Sequence, residues 1–300
     1  MNPALDETVF ADRLVFEDRT YITSRRESAG GRGLHASAVL HAWGAPTLAL
    51  VPSGGETGAR FEEDLALRGF PYEVVPIASS IRRNLIITDQ QGMTVKLNEP
   101  GSALTEEELL RIEEATRKYL PQAGWLLLCG SLPPGVQAAF YRRLIQAARE
   151  HGVSTLVDTD GEILQDALLE KPTAVTPNRQ EAASLLNKAL ITRQHFRGAA
   201  QRMLQMGASI AIVSLGNRGA VGARDSRVVE ANPPPVDAVC PIGAGDAMNA
   251  AFAWAMTRAD DFPDALRWAV AAGTASACLP GLQFASLDQT REMYERVELR

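Results

Sequence analysis

Cysteine is scarce in this 300-residue chain: Cys129, Cys240 and Cys278 are widely spaced and form no CxxC pair. An odd, sparse set excludes a disulfide framework and fits a reducing cytoplasm. Long apolar runs are missing as well. No stretch reaches the ~18 apolar residues that a membrane helix needs, and the most apolar region, Ala269 to Leu282, is broken by Gly273, Pro280 and Gly281. The opening MNPALDETVF has neither a basic region nor an apolar core, which argues against a signal peptide. Basic charge is not in excess: 30 Lys plus Arg stand against 36 Asp plus Glu, a net charge of −6. Gripping a nucleic acid backbone is therefore not the main task. There is no G-x-x-x-x-G-K-[ST], which excludes a P-loop kinase. His35, His41, His151 and His195 are scattered without metal-ligand spacing. These absences leave a soluble cytoplasmic protein with no nucleic acid and no membrane among its partners.

What is present is ordinary globular material, with 46% apolar and 22% charged residues, enough for a sizeable core. Short apolar runs predict buried strands at Thr47–Val51, Trp125–Gly130, Ser154–Asp158, Thr173–Pro177 and Ile210–Gly216. Between them, helical patterns run over Gln137–His151, Asn178–Asn187, Thr192–Met206 and Asp246–Arg258. That alternation predicts an α/β fold with a mainly parallel sheet and helices on both faces. Two segments break the rhythm. Thr8–Ser28 and Tyr72–Leu97 carry β-like alternation and many charges, with a hairpin expected over Asn84–Leu97 that turns at Gln90–Gly92. They predict a small flap built from two separated pieces of chain. No linker divides the chain into independent domains. Trp43, Trp125, Trp254 and Trp268 read as packing rather than as a carbohydrate platform.

The chemistry concentrates in Pro241–Ala251, PIGAGDAMNAA. Gly243, Ala244 and Gly245 lead into an apolar helix with Asp246 in its first turn. Small residues let the backbone approach a ligand, and the unpaired N–H groups of a helix start favour an anion such as a phosphoryl group. Asp246 could accept a proton from a hydroxyl while those N–H groups stabilise the migrating group. A Gly-rich turn with an aspartate capping a helix uses the same residues, and the motif alone fits either.

GAGDAMNAAF resembles the signature of the ribokinase/phosphofructokinase B sugar kinase family, and other segments match in order along the whole chain. NPALD (Asn2–Asp6) resembles the family's opening strand, AGGRG (Ala29–Gly33) its first glycine signature, TPNRQE (Thr176–Glu181) its Asn-x-x-Glu motif, and SLGNRGA (Ser214–Ala220) its nucleotide-side strand and turn. GSLPPG (Gly130–Gly135) and IRRN…KLNEPG (Ile81–Gly101) resemble the hexose-phosphate branch of 1-phosphofructokinase, the minor 6-phosphofructokinase and tagatose-6-phosphate kinase. The resemblance implies a ribokinase-like three-layer α/β/α sandwich over residues 1–300, with a β-flap formed by about 8–28 and 72–97. It implies ATP-dependent phosphorylation of a sugar phosphate, with magnesium and a homodimer paired through the flap. Asp246 is then the general base, and the Gly243–Gly245 backbone stabilises the phosphoryl group. Asp6, Gly31, Arg32 and His35 face the sugar, while ATP lies near Ser214, Gly216, Gly219 and the Gly243–Gly245 loop.

The residues themselves allow these roles. Asn178 and Glu181 share one face of a helix start and could hold magnesium-bound water; an N-cap asparagine with a first-turn glutamate is equally natural. Ser131 could meet a ligand phosphate from its Pro- and Gly-rich loop, or be a turn serine. Arg82, Arg32 and Lys96 supply the cations that a phosphate monoester needs once water is excluded, whereas the neighbouring Arg83 reads as a solvated charge. GRGLHA (Gly31–Ala36) fits a dinucleotide fingerprint, but the preceding YITSRRESA is too polar for its strand. The departures are Cys240, Pro241 and Ile242 for Asp-Thr-Thr, Arg32 for lysine, and His35 for asparagine. They keep a second reading in view, a sugar-phosphate-binding protein without catalysis. His35 could donate and accept toward a sugar, face solvent, or pack under Trp43.

Overall fold

The computed structural model describes every residue except Phe16 and Gly92, so the expected Gln90–Gly92 turn lies partly outside the described residues. The chain opens with β1 (Ala4–Ala11), β2 (Ile22–Gly30), α1 (Arg32–Ala42), β3 (Ala49–Ser53), α2 (Gly55–Arg68) and β4 (Tyr72–Pro76). It continues with β5 (Arg82–Asp89), β6 (Thr94–Asn98), α3 (Glu106–Tyr119), β7 (Trp125–Cys129), α4 (Ala139–Glu150) and β8 (Ser154–Asp158). Next come α5 (Gly161–Leu169), β9 (Ala174–Val175), α6 (Arg179–Leu185), α7 (Arg193–Met206) and β10 (Ile210–Ser214). The last part holds β11 (Ala220–Arg224), β12 (Arg227–Asn232), α8 (Ala244–Arg258), α9 (Phe262–Ala277), α10 (Leu287–Tyr294) and β13 (Glu298–Leu299). Two compact units interleave along the chain. One comprises Met1–Gly31, Leu48–Ala115 and Leu132–Val136, the other Arg32–Thr47, Thr116–Ser131 and Gln137–Arg300. Interleaving explains why no linker is visible in the sequence.

The first unit holds a four-stranded sheet in the order β2-β1-β5-β6. β1 pairs antiparallel with β2 and parallel with β5, and β5 pairs antiparallel with β6 from Asn84↔Asn98 to Thr88↔Thr94. Asp89 organises the start of that hairpin's turn by accepting from the N–H groups of Leu14, Gln91 and Met93. Those bonds, Leu14 first, hold its carboxyl below the usual range. The expected flap therefore exists with altered limits. It begins at Ala4, and Tyr72–Pro76 is not part of it. β4 instead pairs in parallel with β3, from Ala49↔Tyr72 to Ser53↔Pro76, across the helix α2. Both strands bury apolar side chains, Val51 and Val75.

The second unit holds a seven-stranded sheet in the order β13-β12-β11-β10-β9-β8-β7. β7 to β10 are parallel neighbours, as the strand–helix rhythm predicts. Beyond β10 the pairing turns antiparallel, so the sheet is mixed. The β10–β11 and β11–β12 turns are too short for a crossover helix. Thr47–Val51, expected beside these strands, supplies β3 of the first unit instead. Helices α1, α8, α9 and α10 pack on one another, as do α4 to α7, and each set meets the sheet, giving helix, sheet and helix layers. The core between α8, α9 and the sheet is built from Leu156, Ile210, Ile212, Phe252, Phe262 and Leu266. The tryptophans pack as expected: Trp43 and Trp254 meet edge-on at 5.3 Å, and Trp268 stacks on Tyr294 at 4.5 Å. Among the described residues no helix is long and apolar enough to cross a membrane.

Candidate active site

The start of α8 is shaped by Gly243, whose φ of 80° is left-handed. A Cβ there would lie 2.8 Å from the Phe284 ring and 2.9 Å from Leu282, so glycine is required twice over. No side chain caps this helix. Ala244 donates to the Pro241 carbonyl, while the N–H groups of Gly245 and Asp246 have no acceptor among the described residues. A Cβ on Gly245 would meet only open space. Unpaired donors at the positive end of a long helix suit an anion.

Asp246 is buried but does not cap its helix. Its Oδ2 lies 2.7 Å from Nδ1 of His35, and Oδ1 has no partner among the described residues. The capping alternative for this motif is thus not what the chain does. His35 does not face solvent: it is buried, bound to Asp246 and tilted against Phe284.

Asp246 lines a cleft of about 120 Å³ with Arg32, Asp158, Asn178, Glu181, Ser214 and Gly245. The Arg32 guanidinium donates to Asp158 at 3.2 Å and to Glu181 at 3.4 Å. Burial opposes its charge, but the carboxylates of Asp158, Glu181, Asp246 and Asp160 outweigh it and keep Arg32 firmly protonated. Its charge is engaged inside this cleft, on Asp158 and Glu181. Asp158, at the end of β8, has its carboxyl pushed up to about 7 by burial, with Arg32 pulling the other way. Asn178 accepts from the N–H groups of Gln180 and Glu181, and Glu181 reaches back to the N–H of Asn178. This is a capping box, so the structural alternative raised for this pair is present. Ser214 closes the cleft through its N–H bond to Pro177, and Gly216 and Gly219 take positive φ in the turn that follows.

The remaining expected residues belong to the first unit, except Ser131, which is exposed at the end of a segment of the second. The Asp6 carboxylate accepts from the Asn84 amide at 2.7 Å. It occupies the space that a Cβ on Gly30 would need, 2.0 Å away, so the glycine signature makes room for this aspartate. Gly31 follows at a φ of 146°. Arg82 donates to the carbonyls of Asn2 and Glu99, and Lys96 lies exposed on β6. β2 does precede GRGLHA, but as an exposed antiparallel strand, which fits the rejection of a dinucleotide site.

Asp158 and Asn249, both buried and both lining the cleft, were not singled out from sequence. Asp158 was detectable. It ends a parallel strand, and ligands of open α/β sheets gather at strand C-termini. Asn249 follows Asp246 by three residues on α8 and shares its face.

Residues 1–290 match the family described as pfkB family carbohydrate kinase. The chain is 32% identical over 296 residues to the ATP-dependent 6-phosphofructokinase isozyme 2 of Escherichia coli (strain K12), covering 97% of this chain and 95% of that one. It is 32% identical over 273 residues to the 1-phosphofructokinase of Rhodobacter capsulatus, covering 90% and 86%. The crystal structure of the phosphofructokinase-2 from Escherichia coli in complex with potassium shares the fold with a TM-score of 0.93 at 31% identity, over 98% of this chain and 96% of that one. The glycine loop before α8 is thus one part of a likeness that runs along the chain, and the protein belongs to the pfkB family of carbohydrate kinases.

Proposed function

We propose that the protein transfers the terminal phosphoryl group of ATP to a hydroxyl of a hexose phosphate: fructose 1-phosphate, fructose 6-phosphate or tagatose 6-phosphate. The observation that carries this reading is Asp246, with one carboxylate oxygen tied to His35 and the other unpartnered, beside the open N–H groups of the α8 start. The unpartnered Oδ1 accepts the hydroxyl proton, and the N–H groups of Gly245 and Asp246 stabilise the charge on the transferring group. The remainder of ATP would extend past Ser214 toward the Gly216–Gly219 turn.

Magnesium fits this donor set as a companion of the nucleotide. Among the described residues no group of three or more His, Cys, Asp or Glu could cage a metal. Carboxylate oxygens of Glu181 and Asp158 do border the cleft. Magnesium takes one or two carboxylates and fills its shell with phosphate oxygens and water. Glu181 and Asp158 would hold it through such waters, whereas the Asn178 oxygen is already engaged by two N–H groups. Bound there, it would supply positive charge that neutralises the nucleotide phosphates.

For the sugar phosphate we assign Asp6, Gly31, Arg82 and Lys96 of the first unit; Ser131 is assigned separately as a partner for a ligand phosphate. A dianion is favoured over a neutral sugar because Arg82 and Lys96 supply charges that a phosphate can pair. The protein is further read as a cytoplasmic homodimer paired through its four-stranded sheet. ADP release measured across sugar phosphates and free sugars tests the substrate class. The three hexose phosphates should exceed free fructose and ribose. Higher activity on an unphosphorylated sugar would overturn the substrate assignment, and no ADP release at all would favour the non-catalytic binder.

A further inference from the structure

His35 stands in α1 where the family resemblance leads one to expect asparagine. The residue is 6% exposed, its Nδ1 is 2.7 Å from Asp246 Oδ2, and its Nε2 is buried with no partner among the described residues. Two lone pairs cannot face each other at that distance. With Asp246 ionised, Nδ1 therefore carries the proton and donates, which leaves Nε2 bare. An imidazolium would bury a second N–H with nothing to accept it. Phe284 stands against the ring, with centroids 5.6 Å apart, and limits its rotation. Arg32 attracts Asp246 electrostatically, yet its N–H groups go to Asp158 and Glu181. His35 is thus the side-chain donor that reaches Asp246 among the described residues.

We propose that His35 is a positioning residue for phosphoryl transfer. By donating from Nδ1 it fixes the Asp246 carboxylate so that Oδ2 is occupied and Oδ1 is the oxygen that takes the substrate proton. The inference rests on Asp246 being the base. It assigns His35 a task different from touching the sugar, and it states why the replacement of asparagine is tolerated. The amide nitrogen of asparagine lies one bond from Cγ, as Nδ1 of histidine does, so either side chain can place an N–H at the same point. A loosened base costs turnover rather than nucleotide affinity, because misplacement matters only as the proton moves.

The test compares His35→Leu with His35→Asn, near-isosteric variants that differ in having the donor. With the most active sugar phosphate, His35→Leu should lower kcat by about 10- to 100-fold, the scale of an ångström-level misplacement, with KM for ATP within about twofold. His35→Asn should retain at least about tenfold more turnover than His35→Leu. Equal kcat in the two variants, or wild-type kcat in His35→Leu, overturns the proposal. Should His35→Leu not fold, the tautomer decides. Nitrogen-15 NMR of the wild-type protein should place the His35 proton on Nδ1, with Nε2 unprotonated, and the opposite tautomer overturns the proposal. Asp246→Asn run alongside separates the two failures. High turnover in that variant removes Asp246 as base, whereas an inactive Asp246→Asn with a normal His35→Leu refutes the positioning role alone.

Discussion

Asp246 has no helix-capping duty, so its burial and its bond to His35 need a chemical explanation. Replacing it by asparagine keeps the shape and removes the proton acceptor. Asp246→Asn should cut turnover by at least ~10²-fold, the lower range for a general base, with little change in nucleotide affinity measured by equilibrium titration. Near-normal turnover would remove Asp246 from the mechanism. At this scale the sequence located Asp246 and the loop before it, because glycine and a helix start have local signatures. It left two uses open for the Asn178–Glu181 pair, and the capping box is the one now seen. It could not pair His35 with Asp246, since 211 positions separate them and only the packing of α1 on α8 brings them together. The partners of Arg32 were hidden for the same reason: the carboxylates of Asp158 and Glu181 are 126 and 149 positions away.

Elements were legible where one local rule decides. Ser154–Asp158 is a strand at the expected limits, being a short branched run stopped by acidic and polar residues. Pairing partners were less legible, as the join of β3 with β4 shows, because a strand's own residues do not name its neighbour. The four-stranded sheet carries a prediction at this scale. Its outer strands β2 and β6 have a free edge among the described residues, and Tyr21, Ile22 and Leu97 are 64%, 64% and 55% exposed. Free edges bearing apolar side chains are an aggregation hazard unless covered, and a second copy of the same sheet would cover them. Sedimentation at micromolar concentration should show a dimer. Leu97→Lys, which puts a charge on the β6 edge, should shift it toward monomer. A wild-type monomer would refute the pairing, though not the kinase assignment.

For the whole molecule, the buried carboxyl of Asp158 gives stability a defined pH dependence. Burial outweighs the attraction of Arg32, so the folded carboxyl titrates at about 7 against 3.8 for an unperturbed aspartate. Desolvation exceeding a single ion pair is the expected balance at a buried site. Between those values the folded state holds a proton that the unfolded state has released, so stability falls as pH rises through this window. The penalty is absent below about pH 4 and complete above about pH 7. Three pKa units at about 1.4 kcal/mol each put its full size at ~4 kcal/mol. Asp158→Asn cannot titrate. Whatever it loses with the Arg32 pair, its stability relative to wild type should rise by a few kcal/mol from pH 4 to pH 7. The measurement can be confined to the unit concerned. All four tryptophans, Trp43, Trp125, Trp254 and Trp268, lie in the same unit as Asp158, so their fluorescence in urea follows its unfolding. Parallel pH profiles for wild type and Asp158→Asn would mean that Arg32 compensates the buried charge fully. The cleft would then hold Asp158 as an ordinary ionised partner rather than as a group that titrates near neutrality.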